Sequence, residues 1–395
     1  MPCTSHDLSS WPLAIFGRLL NGFMVFSLLA LSLFVLPQRA GAEEQEKLKI
    51  GFGGALLGNL ASYGLSNFYG LEYATLAANA QGGVLGRQLE LISQDDSCNP
   101  SQAVAAATKL VSDGIKLIFG HTCSGATRSA LSVYEDKALL ISSSATENSL
   151  TDSGNNPFFF RTTPRDDAQA SLLVAMIKKN GYKKIAILHD KGDYGKSIAE
   201  IVNKLLESQP GLGAQVVLFE GITSGQVSFD SVISKIKNAE AEAIIWGGYY
   251  NDAAKLIIQT RQKRVGVTLL GPDGLYDQRF IALAQESAEG TYCAGQVDLS
   301  RSEAAQVAVA DHQKRYYGKD IGPYFLYAAG AAQALFAAVS KVGSDTDLAA
   351  IKKRLHEDTV ETVMGPVRFN AKGDIIGASF KLFVVKNGQY VEAPL

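Results

Sequence analysis

The feature that most constrains the fold is a rhythm: from Lys47 onward, short apolar runs alternate with longer amphipathic ones, and the series starts twice. "LKIGFGG" precedes the helix-patterned "LSNFYGLEYATLAANA", "QLELISQDD" precedes "SQAVAAATKLVSDG", and "IKLIFGH" precedes "SGATRSALSVYEDK", before "ALLISSSAT". Strand-length apolar runs separated by helices are the mark of βαβ units and of a parallel sheet covered on both faces. After "FFFRTTPRDD" the rhythm restarts with "KKIAILHD", "AQVVLFEG", "AEAIIWGGY" and "VTLLGPDG", each followed or preceded by helical pattern. The expected fold class is therefore α/β with two lobes. Pro164 disfavours helix at Thr163, so Thr162–Arg165 reads as a crossover between them. The remaining Ala-rich helices and the strands "VRFN" and "FKLFVVKN" complete these lobes rather than build a third, which makes the chain cross several times and forms a stiff hinge. The expected boundaries are 43–163, completed by 296–369, for the first lobe and 164–295, completed by 370–395, for the second.

Residues 1–42 read as a secretory signal: Arg18, an apolar run from Leu19 to Leu36, then "PQRAGA", whose Ala40 and Ala42 suit cleavage before Glu43. An uncleaved membrane anchor is the competing reading. No cysteine stands at the cleavage point for a lipid anchor, and no later stretch reads as long and apolar enough to span a membrane. With 37 basic and 39 acidic residues dispersed along the chain, nothing favours nucleic acid or an anionic membrane as partner.

Export changes the reading of cysteine. Cys3 leaves with the signal, and Cys98, Cys123 and Cys293 remain, most simply one pair and one buried thiol. Cys98 and Cys123 each follow a strand-like run, and a bridge between them would contribute about 3 kcal/mol in the chain-entropy model. Cys123 also stands two residues from His121 in "GHTCSGAT", but a nucleophilic thiol needs a base held in contact and an orienting partner, and an exported cysteine with a mate is normally oxidised. No serine elbow accompanies His189, the histidines lack metal-ligand spacing, and "GFGGALLGN" has leucine at position 56 where a dinucleotide fingerprint needs its third glycine. No enzyme, metal or cofactor is expected.

What remains are strand-end loops, where ligands bind open α/β sheets. "GHTCSGAT" and "ISSSATENS" carry Ser124, Thr127, Ser144 and Thr146, and a helix beginning near Ser124 offers unpaired N–H groups to a carboxylate. The alternative is that Ser124 is only a helix cap and the others turn residues. In the second lobe, "WGGYYND" and "GPDGLYD" place Tyr249 and Asp273 at strand ends, with Tyr194 nearby in "DYG". Donors on one side and an acid between aromatic walls on the other suit a zwitterionic amino acid.

These stretches, with "GGVLGRQLELISQDDSCNPSQAVAAATKLVSDGIKLIFGHTCSGAT", "ILHDKGDYG", "FEGITSGQVSFDSVISKIK", "GGYYNDAAKLIIQTRQ", "ESAEG" and "DTVMGPVRFNAKGD", in order over nearly the whole chain past the signal, resemble the branched-chain amino-acid-binding proteins of ABC transporters. The resemblance implies two Rossmann-like lobes of the type I periplasmic fold joined by three crossovers, with the ligand cleft between them. It also implies a Cys98–Cys123 disulfide that positions Ser124. Ser124 and Thr146 would hold the ligand carboxylate and help with the ammonium, Ser144 would present a backbone carbonyl to the ammonium with Ala145 beside it in the site, and Tyr194 and Tyr249 would line the pocket from the second lobe. Tyr63 and Tyr324 would lie near the ligand side chain. The chain departs from the family in carrying Asp273 where those proteins have glutamate. The function implied is that of a monomeric periplasmic protein that captures leucine, isoleucine or valine and delivers it to an inner-membrane permease. A different small ligand on the same fold, or a sensor presenting its ligand to a receptor, is the alternative.

Overall fold

The computed structural model describes residues 46–395; the expected signal segment and Cys3 lie outside the described residues. Five parallel strands, β1 (Leu48–Gly54), β2 (Leu89–Asp95), β3 (Leu117–Gly120), β4 (Leu139–Ser142) and β5 (Phe159–Arg161), form the first sheet in the order β2-β1-β3-β4-β5. Between them run α1 (Ala61–Ala80), α2 (Pro100–Ser112), α3 (Ser124–Tyr134) and the single turn α4 (Ser149–Asp152). Strands β3 and β4 are buried at every residue, as expected of apolar strands covered on both faces.

The chain then enters α5 (Asp166–Asn180) and a second sheet. Strands β6 (Lys184–His189), β7 (Gln215–Gly221), β8 (Ala243–Gly247), β9 (Thr268–Gly271) and β10 (Tyr292–Gln296) are parallel, and alternate with α6 (Asp193–Glu207), α7 (Asp230–Asn238), α8 (Tyr250–Gln262) and α9 (Gln278–Ala284). From β10 the chain returns to the first lobe as α10 (Glu303–Arg315), α11 (Phe325–Val342) and α12 (Leu348–Glu357), followed by a small hairpin of β11 (Val360–Thr362) and β12 (Gly365–Val367). It passes beside β5, where Asp374 bridges to Arg161, before β13 (Phe380–Lys386) and β14 (Gln389–Glu392) extend the second sheet antiparallel to the order β14-β13-β10-β9-β8-β6-β7. The chain thus crosses between the sheets three times.

Each sheet has an apolar core on both faces. In the first, α1, α10, α11 and α12 cover one face and α2 and α3 the other; in the second, α7, α8 and α9 oppose α5 and α6. By length and composition α11 is apolar enough to cross a membrane, which corrects the expectation that no such stretch follows the signal. Its side chains are nevertheless buried on almost all sides, with Phe325, Ala329, Ala332 and Leu335 in the first-lobe core, so the all-round hydrophobicity is that of a core helix.

Strand order reverses between β1 and β3 in one sheet and between β6 and β8 in the other. At such switch points the loops after the strands diverge and leave a crevice. Glycine makes both crevices close. Gly120, at φ +107°, ends β3 so near β1 that a Cβ would lie 1.9 Å from the Gly53 carbonyl oxygen. A Cβ on Gly247, at the end of β8, would lie 2.0 Å from the Gly195 oxygen in the first turn of α6. The second contact is what draws Tyr194 and Tyr249 together, with ring centroids 5.0 Å apart.

Candidate functional site

The two crevices face one another around a cavity of ≈ 10 Å³, about the room of one water molecule, so the closed lobes must part to admit anything larger. The first lobe contributes Tyr63, Thr122, Ser124, Ser144 and Tyr324, and the second contributes Tyr194, Tyr249, Asp273 and Gly274.

Cys98 and Cys123 are joined, across a sequence separation of 25. This binds the loop after β2 to the start of α3. Cys123 is therefore neither free nor next to a base: the His121 ring, fully buried, has Nδ1 2.5 Å from an Asp96 carboxylate oxygen and Nε2 2.8 Å from the Tyr134 hydroxyl. The histidine is thus a strut between β2, β3 and α3. Replacing Cys98 and Cys123 by serine is expected to cost about 3 kcal/mol of stability, read as a lower melting temperature matched by the wild type in reductant; a melt insensitive to reductant would contradict this role.

Cys123, with extended backbone, is the N-cap of α3, and Ser124 is the first helical residue. The cap reading of Ser124 is thus corrected: its hydroxyl does not close the helix but accepts weakly from the Glu147 N–H at 3.4 Å, which leaves its proton available in the cavity. Thr127 is committed elsewhere, donating to the carbonyls of His121 and Cys123. The open N–H groups of the first turn of α3 and its dipole make this end of the cavity suited to an anion.

The loop after β4 is arranged differently from expectation. Ser144 lines the cavity, but its hydroxyl is already engaged, accepting from Asn67 and donating to the Thr122 carbonyl, both at 2.8 Å. Ala145 and Thr146 do not line it. Both are fully buried behind the wall; the Ala145 carbonyl accepts from the Arg161 guanidinium at 3.2 Å, and the Thr146 carbonyl accepts from the Asp166 N–H at 3.0 Å. The physical reason is Arg161. A buried guanidinium at the end of β5 needs acceptors, and it turns the carbonyls of Ala145 and Glu147 toward itself, leaving that of Thr146 to the Asp166 N–H.

Opposite lies Asp273, 1% exposed, in the tight turn after β9. Tyr194 donates to Oδ1 at 2.5 Å, while Tyr324 and the Gln296 amide donate to Oδ2 at 2.7 and 2.8 Å. Burial pushes its pKa up, opposed by these donors and by Gln169. A carboxylate has about four acceptor positions, so both on Oδ2 are filled and one on Oδ1 is open. Burial and the adjacent acid likewise hold the Tyr194 and Tyr324 phenols well above their ordinary values, with burial the larger cause, so they act as neutral donors.

The lobes are closed on one another. Tyr63 donates to the Gly274 carbonyl at 3.0 Å and Tyr250 to the Asn59 carbonyl at 2.6 Å, and Arg128 reaches Asp193 at 3.1 Å. Tyr63, Tyr249, Tyr250 and Tyr324 pack into an aromatic wall around the remaining space. Sequence reasoning missed Asn67, Gln169, Gln296 and Arg161, which orient the site from behind; only Arg161, a charge ending the apolar run "FFFR", left a visible signal. A wider groove along Tyr276–Gln278 and Asp320–Tyr327 is open to solvent, and its Asp298 and Asp320 carboxylates bond their own loops at Ser300 and Gly322.

One end for an anion, one acid with a free acceptor position, and aromatic walls between them are, once the lobes part, groups suited to a small zwitterion. Comparison with known proteins places the chain among relatives. The chain is 36% identical over 338 residues to the Leu/Ile/Val-binding protein of Citrobacter freundii, covering 85% of this chain and 90% of that one. Its fold matches the branched-chain amino acid transporter substrate binding protein of Streptococcus pneumoniae, solved with isoleucine, at TM-score 0.77 and 24% identity, over 88% of this chain and 100% of that one. It also matches an R. palustris ABC-transporter solute binding protein solved with benzoate, at TM-score 0.74 and 22% identity, over 88% and 95%. The family model for periplasmic binding proteins matches residues 47–389; the chain belongs to the periplasmic binding protein family.

Proposed function

We propose that this protein is the periplasmic solute-binding component of an ABC importer, and that it captures an aliphatic L-amino acid, leucine, isoleucine or valine, between its lobes for delivery to an inner-membrane permease. The observation that carries this reading is the opposition of Ser124 and the α3 N-terminus to the buried Asp273 across a cavity with aromatic walls. The carboxylate meets N–H and O–H donors on the first lobe, the ammonium meets the open position on Asp273 from the second, and Tyr63, Tyr249 and Tyr324 enclose the side chain. Because the two charged ends are held by different lobes, the ligand favours the closed form over the open one, which is the condition for a ligand to drive closure. No step of this cycle is catalytic, and the protein acts as a monomer exported by its N-terminal signal.

A second reading, a different small ligand in the same cleft, rests on Asp273 standing where the branched-chain binders have glutamate. A purely acidic ligand fits less well, since it leaves Asp273 without a cation.

The test is a thermal-shift screen of protein freed of ligand by partial unfolding and refolding, against the twenty amino acids and a set of small organic acids. A specific ligand at 100 times its dissociation constant stabilises by about 2.7 kcal/mol, a shift of several degrees for a protein of this size. Leucine, isoleucine or valine is expected to lead; a shift by organic acids alone would overturn the ligand assignment.

A further inference from the structure

Where the first crossover becomes α5, at the root of the cleft, lies a second acid that sequence reasoning did not single out. Asp166 is completely buried. Its Oδ1 receives a long contact from the Gln169 amide, 3.5 Å, and the Thr146 and Ser197 hydroxyls stand beside the carboxyl, while the Thr163 hydroxyl is buried without a partner. The same Gln169 accepts from the Asp273 N–H at 2.6 Å, so one side chain ties the two acids together. The groups facing Asp166 are Arg161 from β5, Thr146 from the loop after β4, Ser197 and Tyr194 from α6, Tyr249 at the start of α8, and Asp273. Arg161 is the one cation among them, and it is already held by Asp374 at 2.6 Å. Among the described residues the cleft root therefore contains two acids, and its cations, Arg161 and the adjoining Arg165, are already held by Asp374 and Asp152.

We propose that Asp166 is a positioning residue of the amino-acid site, which it does not touch: it sits as the neutral acid in the empty closed cavity and passes its proton to solvent when a ligand ammonium is enclosed, so that capture is coupled to proton release and the new anion adds to the pocket's preference for a cation. This rests on the amino-acid reading above. A buried carboxyl beside a second acid is costly as an anion, and an ammonium held on Asp273, to which Gln169 ties it, reverses the balance. Burial pushes Asp166 up to about 7, with Asp273 adding to burial and the nearby hydroxyls and Arg161 opposing it. Since the ammonium lowers that value in the complex, the complex binds fewer protons than the free protein, and by linkage affinity must rise with pH.

The experiment is calorimetric titration of the wild-type protein with L-leucine at pH 7 in buffers of different ionisation enthalpy, and at pH 6 and pH 8. Roughly half a proton released per ligand at pH 7 is expected, and affinity about tenfold weaker at pH 6 than at pH 8. Asp166→Asn is expected to abolish both effects. Asp190→Asn is expected to leave them intact, although Asp190 is also pushed up by burial, to about 6. Leucine binding with no proton exchange, or release that persists in Asp166→Asn, would overturn the proposal. Should Asp166→Asn fail to fold, infrared difference spectra of the wild type decide: loss of a protonated-carboxyl band on adding leucine supports it, and no change overturns it. Failure of every amino acid to bind would instead reject the functional reading on which it rests.

Discussion

Asp273→Asn is expected to weaken amino-acid binding by about 100-fold or more while leaving the ligand-free melting temperature at neutral pH unchanged or slightly raised. Truncating one partner of a buried, hydrogen-bonded charge pair costs 2–5 kcal/mol or more, and among the described residues Asp273 is the only acid lining the cavity. The stability half of the prediction follows from the direction of its pKa. Burial holds it above the ordinary carboxylate value, so ionising it in the empty protein opposes folding increasingly as pH rises past its unfolded value. Asparagine removes that opposition and keeps the volume, and the Tyr194 and Tyr324 hydroxyls can rotate to suit an amide. Calorimetric titration and a thermal melt of the same sample separate the two effects. Weakened binding accompanied by a large loss of stability would mean that Asp273 is a structural residue. Ser124→Ala, which removes a single neutral donor, should cost roughly tenfold.

Asp374→Ala is expected to be the most destabilising substitution in the hinge, by about 3–5 kcal/mol, because it leaves a buried guanidinium without its counter-ion. Arg161 has no exposed surface, and its Nε donates to Asp374 Oδ1 at 2.6 Å. It donates further to the carbonyls of Ala145 and Glu147 and to the Thr151 hydroxyl, and Arg165 approaches the other oxygen of Asp374 at 3.5 Å. This network binds the first crossover, the loop after β4 and the segment leading to the third crossover. Burial alone would raise the Asp374 pKa, but the Arg161 charge and its hydrogen bonds hold it below the ordinary value. The pair's contribution is therefore fully present above the unfolded carboxylate pKa and is lost as pH falls through the lower folded value. Urea unfolding at neutral pH reads the loss directly; a midpoint within experimental scatter of the wild type would show that the network adds little.

The two-lobe organisation was legible because parallel strands buried on both faces must be apolar runs, and "IKLIF" or "AIIWG" can hardly be anything else. Ser124, Tyr194, Tyr249 and Asp273 were legible because ligands collect at strand ends and because each is polar or aromatic beside glycine. Ala145 and Thr146 stand behind the cavity wall for a physical reason: which way a loop carbonyl faces is set by a partner elsewhere in the fold, here Arg161 for Ala145 and the Asp166 N–H for Thr146, and no local pattern encodes it. The same holds for Gln296 and Gln169, ordinary residues in sequence that become ligands of the site's acid only through contacts spanning 23 and 104 residues. His121 drew notice as a base for Cys123; its real partners, Asp96 and Tyr134, were visible only once β2, β3 and α3 were assembled.

The central claim is that the cleft separates the two charges of an amino acid between its lobes. The most direct measurement is calorimetric titration of the ligand-free protein with L-leucine beside 4-methylpentanoate, which lacks the ammonium, and leucinamide, which lacks the carboxylate. The account predicts that leucine binds and that each truncated analogue binds at least 100-fold more weakly, the acid because Asp273 is left unpaired and the amide because the α3 N-terminus is. If 4-methylpentanoate binds as well as leucine, Asp273 does not hold an ammonium and the account is contradicted.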